Sequence, residues 1–319
     1  MGWPSGRSNL VVPQGRRYVV GPNTFPNFKS VLVQPGATLE IGTQAWATSP
    51  WMQIGCAGDF ILRGTLLIRG SPLFNDDTYV WNASDGTVRT VEFRQSSGGA
   101  GGSAFGTAHK PGGTPGTSAY GNGGGGAATS GVGEDAQPAI AGTGGRAKGF
   151  DDSQWLIGAG GVGGKVATSE DQIAESGFVG GSVSGGYGCI AGGGGGGARG
   201  LHGGFLYLRV LGDFDAEGGT IDASGADGAA GGAGGGASHP KLQIGQYSGA
   251  GGGGGAGGNG GFVIVSYRRG LKKGWESVAA GSRGEGGEGG PTRRKDHRGR
   301  SGLQGQDGTP GQIHYLLEP

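Results

Sequence analysis

The chain has 319 residues, of which 84 are glycine, and carries a net charge of +1 with a pI of about 7.8. Glycine at about a quarter of all residues, against a usual share of ~7%, together with apolar residues at 34%, argues against one large oil-like core and for apolar residues gathered in clusters. The near-neutral balance offers no field for nucleic acid or an anionic membrane as main partner, and no apolar run of about 18 residues exists to form a membrane-spanning helix.

The opening residues, Met1-Gly2-Trp3-Pro4-Ser5-Gly6-Arg7, lack the apolar stretch of a secretory signal, and Gly6 stands where N-myristoylation needs Ser or Thr. Synthesis in a cytoplasm without a signal peptide is expected. Val31-Leu32-Val33, then Pro35-Gly36, then Ala37-Thr38-Leu39-Glu40-Ile41 reads as strand, turn, strand, with Leu39 and Ile41 on a buried face. Phe60-Ile61-Leu62, Gly64 and Leu66-Leu67-Ile68-Arg69 repeat that pattern, and residues 90–94 put Val91 and Phe93 on one face. Short strands broken by single glycines, without hairpin dipeptides, imply coiled tiers or a compact sandwich, and nothing here has the period of an amphipathic helix.

Composition changes near Ser96, so the expected domains are a β-rich attachment domain over 1–97 and a glycine-rich domain with projecting loops over 98–319. The second part repeats internally. Gly192 to Gly197 leads through Gly203-Gly204 into Phe205-Leu206-Tyr207-Leu208-Arg209-Val210, and Gly251 to Gly255 leads through Gly260-Gly261 into residues 262–268. A third echo joins the parts: Gly58-Asp59-Phe60 and Gly64-Thr65-Leu66 resemble Gly212-Asp213-Phe214 and Gly219-Thr220-Ile221, which allows one continuous architecture.

Within the runs glycine recurs every third residue, as at Gly249, Gly252, Gly255, Gly258 and Gly261, at Gly225, Gly228, Gly231 and Gly234, and at Gly194, Gly197, Gly200 and Gly203. The set Gly281, Gly284, Gly287, Gly290 resumes in phase as Gly299, Gly302, Gly305, Gly308, Gly311. Three residues per turn is the polyproline II period, a backbone without internal hydrogen bonds. A bare glycine edge lets a neighbouring backbone approach, so these segments are expected to stack as polyglycine II helices bonded to one another. Two other readings stay open: collagen-like trimerisation of 281–311, which would make a homotrimer, and a flexible linker.

Chemical sites are sparse. His109, His202, His239, His297 and His314 have no metal-ligand spacing, and Asp213, Asp215 and Glu217 would share one strand face, where a solvated face outweighs a glycosidase carboxylate pair. Gly181-Ser182-Val183-Ser184-Gly185 matches a nucleophile elbow by composition alone. No catalytic residue, metal site or cofactor is expected. Cys56 and Cys189 read as buried thiols, with a disulfide as the alternative. The basic run Arg293, Arg294, Lys295, Arg298, Arg300 reads as a solvated loop or as a contact for an acidic partner. Longer mixed segments between the glycine runs carry Tyr120, Trp155, Phe178, Tyr187 and Tyr247, which are candidate receptor contacts or caps of the stack.

Residues 192–210, 219–225 and 251–268 resemble the glycine-rich domains of bacteriophage tail-fibre and receptor-binding proteins, and the general plan is similar to the tip adhesin of T-even-type long tail fibres. The resemblance covers about 98–319. It implies a non-enzymatic virion protein in the tail, whose loops on stacked polyglycine II helices meet a bacterial surface receptor, an outer-membrane protein or a polysaccharide. Other tail proteins would be partners at the first domain, with no nucleic acid bound and no membrane insertion. The alternative is a structural tail, baseplate or decoration component without a receptor role. The fold class expected is all-β and irregular: a solenoid- or sandwich-like first domain, a polyglycine II stack with interspersed short strands, and essentially no α-helix.

Overall fold

A computed structural model describes residues 6, 8–20, 26–42, 51–70, 78–82, 88–92, 155–157, 179, 183–184, 188–191, 193–238, 246–292 and 298–319. These residues are rich in strands and contain no α-helix. Alternating apolar residues in 8–69 build three tiers: β1 (Ser8–Val12) and β2 (Arg17–Val20); β3 (Asn27–Val33) and β4 (Thr38–Gly42); and β5 (Trp51–Cys56), β6 (Phe60–Leu62) and β7 (Thr65–Arg69). An antiparallel pair follows, β8 (Thr78–Asn82) with β9 (Val88–Glu92). Phe93 lies outside the described residues.

Farther along are β10 (Trp155–Ile157), β11 (Val183–Ser184) and β12 (Gly188–Ile190). The fourth tier is β13 (Phe205–Val210), β14 (Phe214–Asp215) and β15 (Thr220–Asp222). After β16 (Ala237–Ser238) and β17 (Gln246–Tyr247), the fifth tier is β18 (Phe262–Tyr267), β19 (Leu271–Lys272) and β20 (Trp275–Ser277), and β21 (Gln312–Leu317) closes the stack.

Successive tiers pair in parallel. β2-β4-β7-β15-β20 form one sheet, and the other strands of the tiers form a second. Pairing in register stacks like residues into rows. One row is Leu10, Val31, Phe60, Phe214, Leu271, and another is Ile54, Leu208, Val265, Tyr315. A third, from the other sheet, is Tyr18, Leu39, Leu66, Ile221, Glu276. The middle members of these rows are buried in a single apolar cluster between the sheets, and the Phe60 and Phe214 rings stack at 5.6 Å. Each such burial contributes about 1.5–3 kcal/mol. The Pro35-Gly36 corner closes with Ala37 N donating to Gln34 O at 3.0 Å, and Gly36 there has φ +69°, a left-handed value that favours glycine.

The compositional change at 96–98 does not interrupt the sheet, because β5 pairs with β13 along its full length. The echo between the two parts is a register: Phe60 lies opposite Phe214 and Thr65 opposite Thr220.

The glycine runs join the later tiers. Segments I (193–204), III (248–261) and V (298–311) lead into β13, β18 and β21, while II (223–236) and IV (278–291) leave β15 and β20. They bond to one another at every third residue. Gly194, Gly197, Gly200 and Gly203 of I donate to Ala250, Gly253, Ala256 and Asn259 of III. Gly225, Gly228, Gly231 and Gly234 of II donate to IV, and Gly251, Gly254, Gly257 and Gly260 of III donate to V, both in the same chain direction. Gly252, Gly255 and Gly258 of III donate to II in the opposite direction, and Gly281, Gly284, Gly287 and Gly290 of IV donate back to III. The N···O distances in this lattice run from 2.6 to 3.0 Å. A Cβ on any of these glycines would fall within 3 Å of a neighbouring backbone, so close approach dictates the residue type.

Segments IV and V are antiparallel, with Gly302 N donating to Gly287 O and Gly308 N to Gly281 O. The stretch 281–311 is therefore two segments with a reversal between them, and the collagen-like reading of it is corrected. The phase survives because both segments start and end on the same lattice level.

Candidate functional site

Each glycine segment has one end at the tiers, and all five have their other end at a common far face. The last bonds before that face tie it together: Gly194 N to Ala250 O at 2.9 Å, Gly249 N to Gly235 O at 3.0 Å, Gly234 N to Glu288 O at 2.8 Å and Gly290 N to Gly249 O at 2.9 Å. Beyond them the chain turns back through short parallel pairs. β11 pairs with β16, and β10, β12 and β17 form a three-stranded sheet. Of the segments read from the sequence as loop-bearing, 238–247 leaves the lattice at the end of segment II and re-enters it at segment III on this face.

Of the aromatic candidates, Trp155 and Tyr247 fall in that small sheet. Trp155 is in register with Gly188, and Tyr247 with Ile190, which is in register with Ile157, so the two lie two register positions apart. Tyr120, Phe178 and Tyr187 lie outside the described residues.

The described end of the basic run belongs to the same face. Its described members are Arg298 and Arg300; Arg293, Arg294 and Lys295 lie outside the described residues. Gly299 N donates to Ser248 Oγ at 3.0 Å, one residue beyond Tyr247, and Pro291 packs on Gly236 just before β16. The Arg298 guanidinium donates from Nε and Nη2 to Gly289 O at 3.2 and 3.0 Å and lies 3.7 Å from Glu288. Both feet of the loop are pinned to the lattice. Ser248 is an anchoring position that sequence reading missed; its only signal was a hydroxyl residue directly before the glycine phase begins.

Comparison of this chain with protein-family models, with curated proteins and with solved structures gave no match. The site is therefore argued from its own geometry.

Elsewhere the titratable groups are engaged in holding tiers together. β14 itself is only Phe214–Asp215, but Asp213, Asp215 and Glu217 alternate with buried Phe214 and Ala216 and so share an outward face, where Lys272 reaches both Asp215 at 3.7 Å and Glu217 at 3.1 Å. Asp213 Oδ1 accepts from Gly270 N at 2.7 Å, and Asp59 Oδ1 from Asp213 N at 3.0 Å, each reaching the next tier. Asp215 takes both arms of Arg63 at 2.9 and 2.8 Å, and that hydrogen bonding holds its carboxyl below the usual range. Lys272 donates to Glu217 at 3.1 Å.

His202 is buried in segment I. Its Nδ1 accepts from Asn259 N at 2.8 Å, and burial followed by the nearby Arg199 guanidinium pushes its pKa down to about 3. His314 lies 3.0 Å from Gln312 Oε1, and His109, His239 and His297 lie outside the described residues. Cys56 is a free buried thiol, pushed up to about 11 by burial, so it does not pair with Cys189. Among the described residues no cluster of three metal-capable side chains occurs.

Proposed function

We propose that the protein is a bacteriophage tail adhesin that meets a bacterial surface receptor through loops held at the far face of a glycine lattice. In this reading the tiers are a short β-solenoid and segments I–V are polyglycine II helices. The single observation that carries the reading is that all five glycine segments end on one face, opposite the tiers. A backbone rising ~3.1 Å per residue over the twelve residues of segment I would make the lattice a stiff spacer of ~40 Å. Recognition loops on a rigid support lose little freedom on binding, which favours affinity. The tiers at the opposite end would face the other tail proteins.

The test is binding of purified full-length protein to intact host cells, followed by exchange of residues 127–178 between related adhesins. Altered host range is expected. Unchanged host range together with no cell binding would remove the adhesin reading and leave a structural tail component.

A further inference from the structure

We propose that copies of this chain stack head to tail, the first tier of one copy adding its strands to β19 and β20 of the next. The inference goes beyond the adhesin reading and stands without it.

Two columns of strands run the whole length of the tiers, β1-β3-β6-β14-β19 and β2-β4-β7-β15-β20. Stacked repeats ordinarily finish in caps with a polar outer face. Here β19 and β20 pair on one side, with β14 and β15, and among the described residues no strand covers their other edge. β21 lies over β18 alone, so the stack ends in a step. The five side chains only partly buried against the core, Tyr267, Leu271, Val278, Ile313 and Tyr315, all belong to these last tiers. Trp275 and Leu317 stand beside them at 77% and 61% exposure.

At the other end, β1 and β2 pair only with β3 and β4 among the described strands. Tyr18 continues the inward row of buried Leu39 and Leu66 yet is 45% exposed, and Val11 and Val19 of the same tier are exposed as well.

A strand edge with open main-chain donors and acceptors is completed by a further strand. The columns say which strand fits. β1 and β2 are the first members of the same two columns that end on β19 and β20, so a second copy shifted along the stack continues both. In register, Leu10 follows Leu271, Tyr18 follows Glu276 and Arg17 follows Trp275. The first pair extends an apolar row. The second offers another hydroxyl to the Glu276 carboxylate, which already accepts from Tyr315 at 2.8 Å. The third sets a guanidinium against an indole. Lys272 meets Val11, so no like charges oppose each other in the strands. Each copy contributes two different surfaces, and a heterologous contact of this kind does not close on itself but extends into a fibre.

The experiment follows full-length protein by sedimentation velocity and negative-stain electron microscopy over about 1–100 µM. Species larger than dimers, growing with concentration, are expected. Val11→Lys places a like charge against Lys272, and Trp275→Lys places one against Arg17; both side chains are exposed in the single copy, so melting should be unchanged. Each variant alone should stay monomeric, whereas an equimolar mixture should give one-to-one dimers, because each retains the end that the other has lost. Neighbouring strands lie ~4.8 Å apart, within disulfide span, so Val11→Cys mixed with Lys272→Cys should cross-link between copies on oxidation. Wild type that stays monomeric or stops at dimers, self-association of either charge variant, or a mixture without dimers or cross-link would overturn the proposal. Binding of the monomeric variants to intact cells reports separately on the adhesin reading.

Discussion

Replacing Gly255 by Ala puts a methyl group where the lattice has none to spare. Its Cβ would lie 2.9 Å from Arg199 N and closer still to the Ala198 carbonyl of segment I. Comfortable carbon contacts begin at about 3.5 Å, so segments I and III must part by roughly 1 Å. The bonds from Gly197 to Gly253 and from Gly200 to Ala256, now 2.9 and 2.8 Å, would then exceed hydrogen-bonding range on a buried face. Two buried bonds lost, each at about 1–3 kcal/mol, cost about 2–6 kcal/mol, and the stiffer unfolded chain of the variant returns about 0.4–1. The net loss of about 2–5 kcal/mol corresponds to a melting temperature lower by about 5–10 °C. Thermal unfolding followed by circular dichroism reads this directly, with Ser301→Ala on the exposed edge of segment V as the control that should move by about 1 °C. A Gly255→Ala melting point within a degree or two of wild type would refute close backbone approach as the reason for the glycine phase.

Gly36→Ala tests the other role of glycine: space around it is open but its φ is +69°, so a cost of about 1 kcal/mol is expected, and Gly36→Asn should cost less. Stability should fall with acid through His202. The folded protein keeps that imidazole neutral down to about 3, while the unfolded chain protonates it below about 6.5, so stability is full above 6.5 and is lost as pH falls. The loss is about 2 kcal/mol by pH 5, and denaturant titrations of His202→Gln, which cannot take up that proton, should show a flatter pH profile over the same window. Tyr315 Oη donates to Glu276 at 2.8 Å, closing the last tier beneath Lys273, whose Nζ sits 4.3 Å from the ring centre. Tyr315→Phe should lower stability by about 1 kcal/mol without altering the sheets, measured by denaturant unfolding.

Much of the tier architecture was legible because its signals are local. Alternation at Leu39 and Ile41, the Pro35-Gly36 corner and the strand at 205–210 each depend on a few adjacent residues, and each stands where expected. The matched Gly58-Asp59-Phe60 and Gly212-Asp213-Phe214 blocks even carried the long-range register. The path of the glycine segments was less legible. A gap of nine residues between Gly290 and Gly299 keeps the same phase whether the chain runs on or reverses, so periodicity alone could not tell a collagen-like run from an antiparallel pair. The carboxylates were half legible: the outward alternation at Asp213, Asp215 and Glu217 is present, but the partners that engage them, Gly270, Arg63 and Lys272, lie on other tiers and no local signal names them. Of the candidate site, the residue types were readable, whereas the common face on which the five segments end depends on which glycine segment bonds to which.

The number of bare edges on a segment reports how many neighbours crowd it. Segment III bonds to I, II, IV and V, and glycine occupies two of its three phases, with buried Ala250 and Ala256 on the third. Segment V bonds only to III and IV; it keeps one glycine phase, and Arg300, Ser301, Leu303, Gln304, Gln306 and Asp307 stand exposed on the others. Such a lattice gains little by itself. A net hydrogen bond is worth about 1 kcal/mol, and ordering a glycine costs about 0.5–1 kcal/mol more than ordering an alanine, so the two nearly offset. What tips the balance is covalent attachment to the tiers. Aliphatic rows fix where β13, β15, β18, β20 and β21 sit, so every glycine segment starts already in register with its neighbours, and little further entropy is lost in pairing them. The oil-like core and the bare backbone are thus one cooperative unit, in which burial at one end holds the segment ends at the far face in a fixed arrangement.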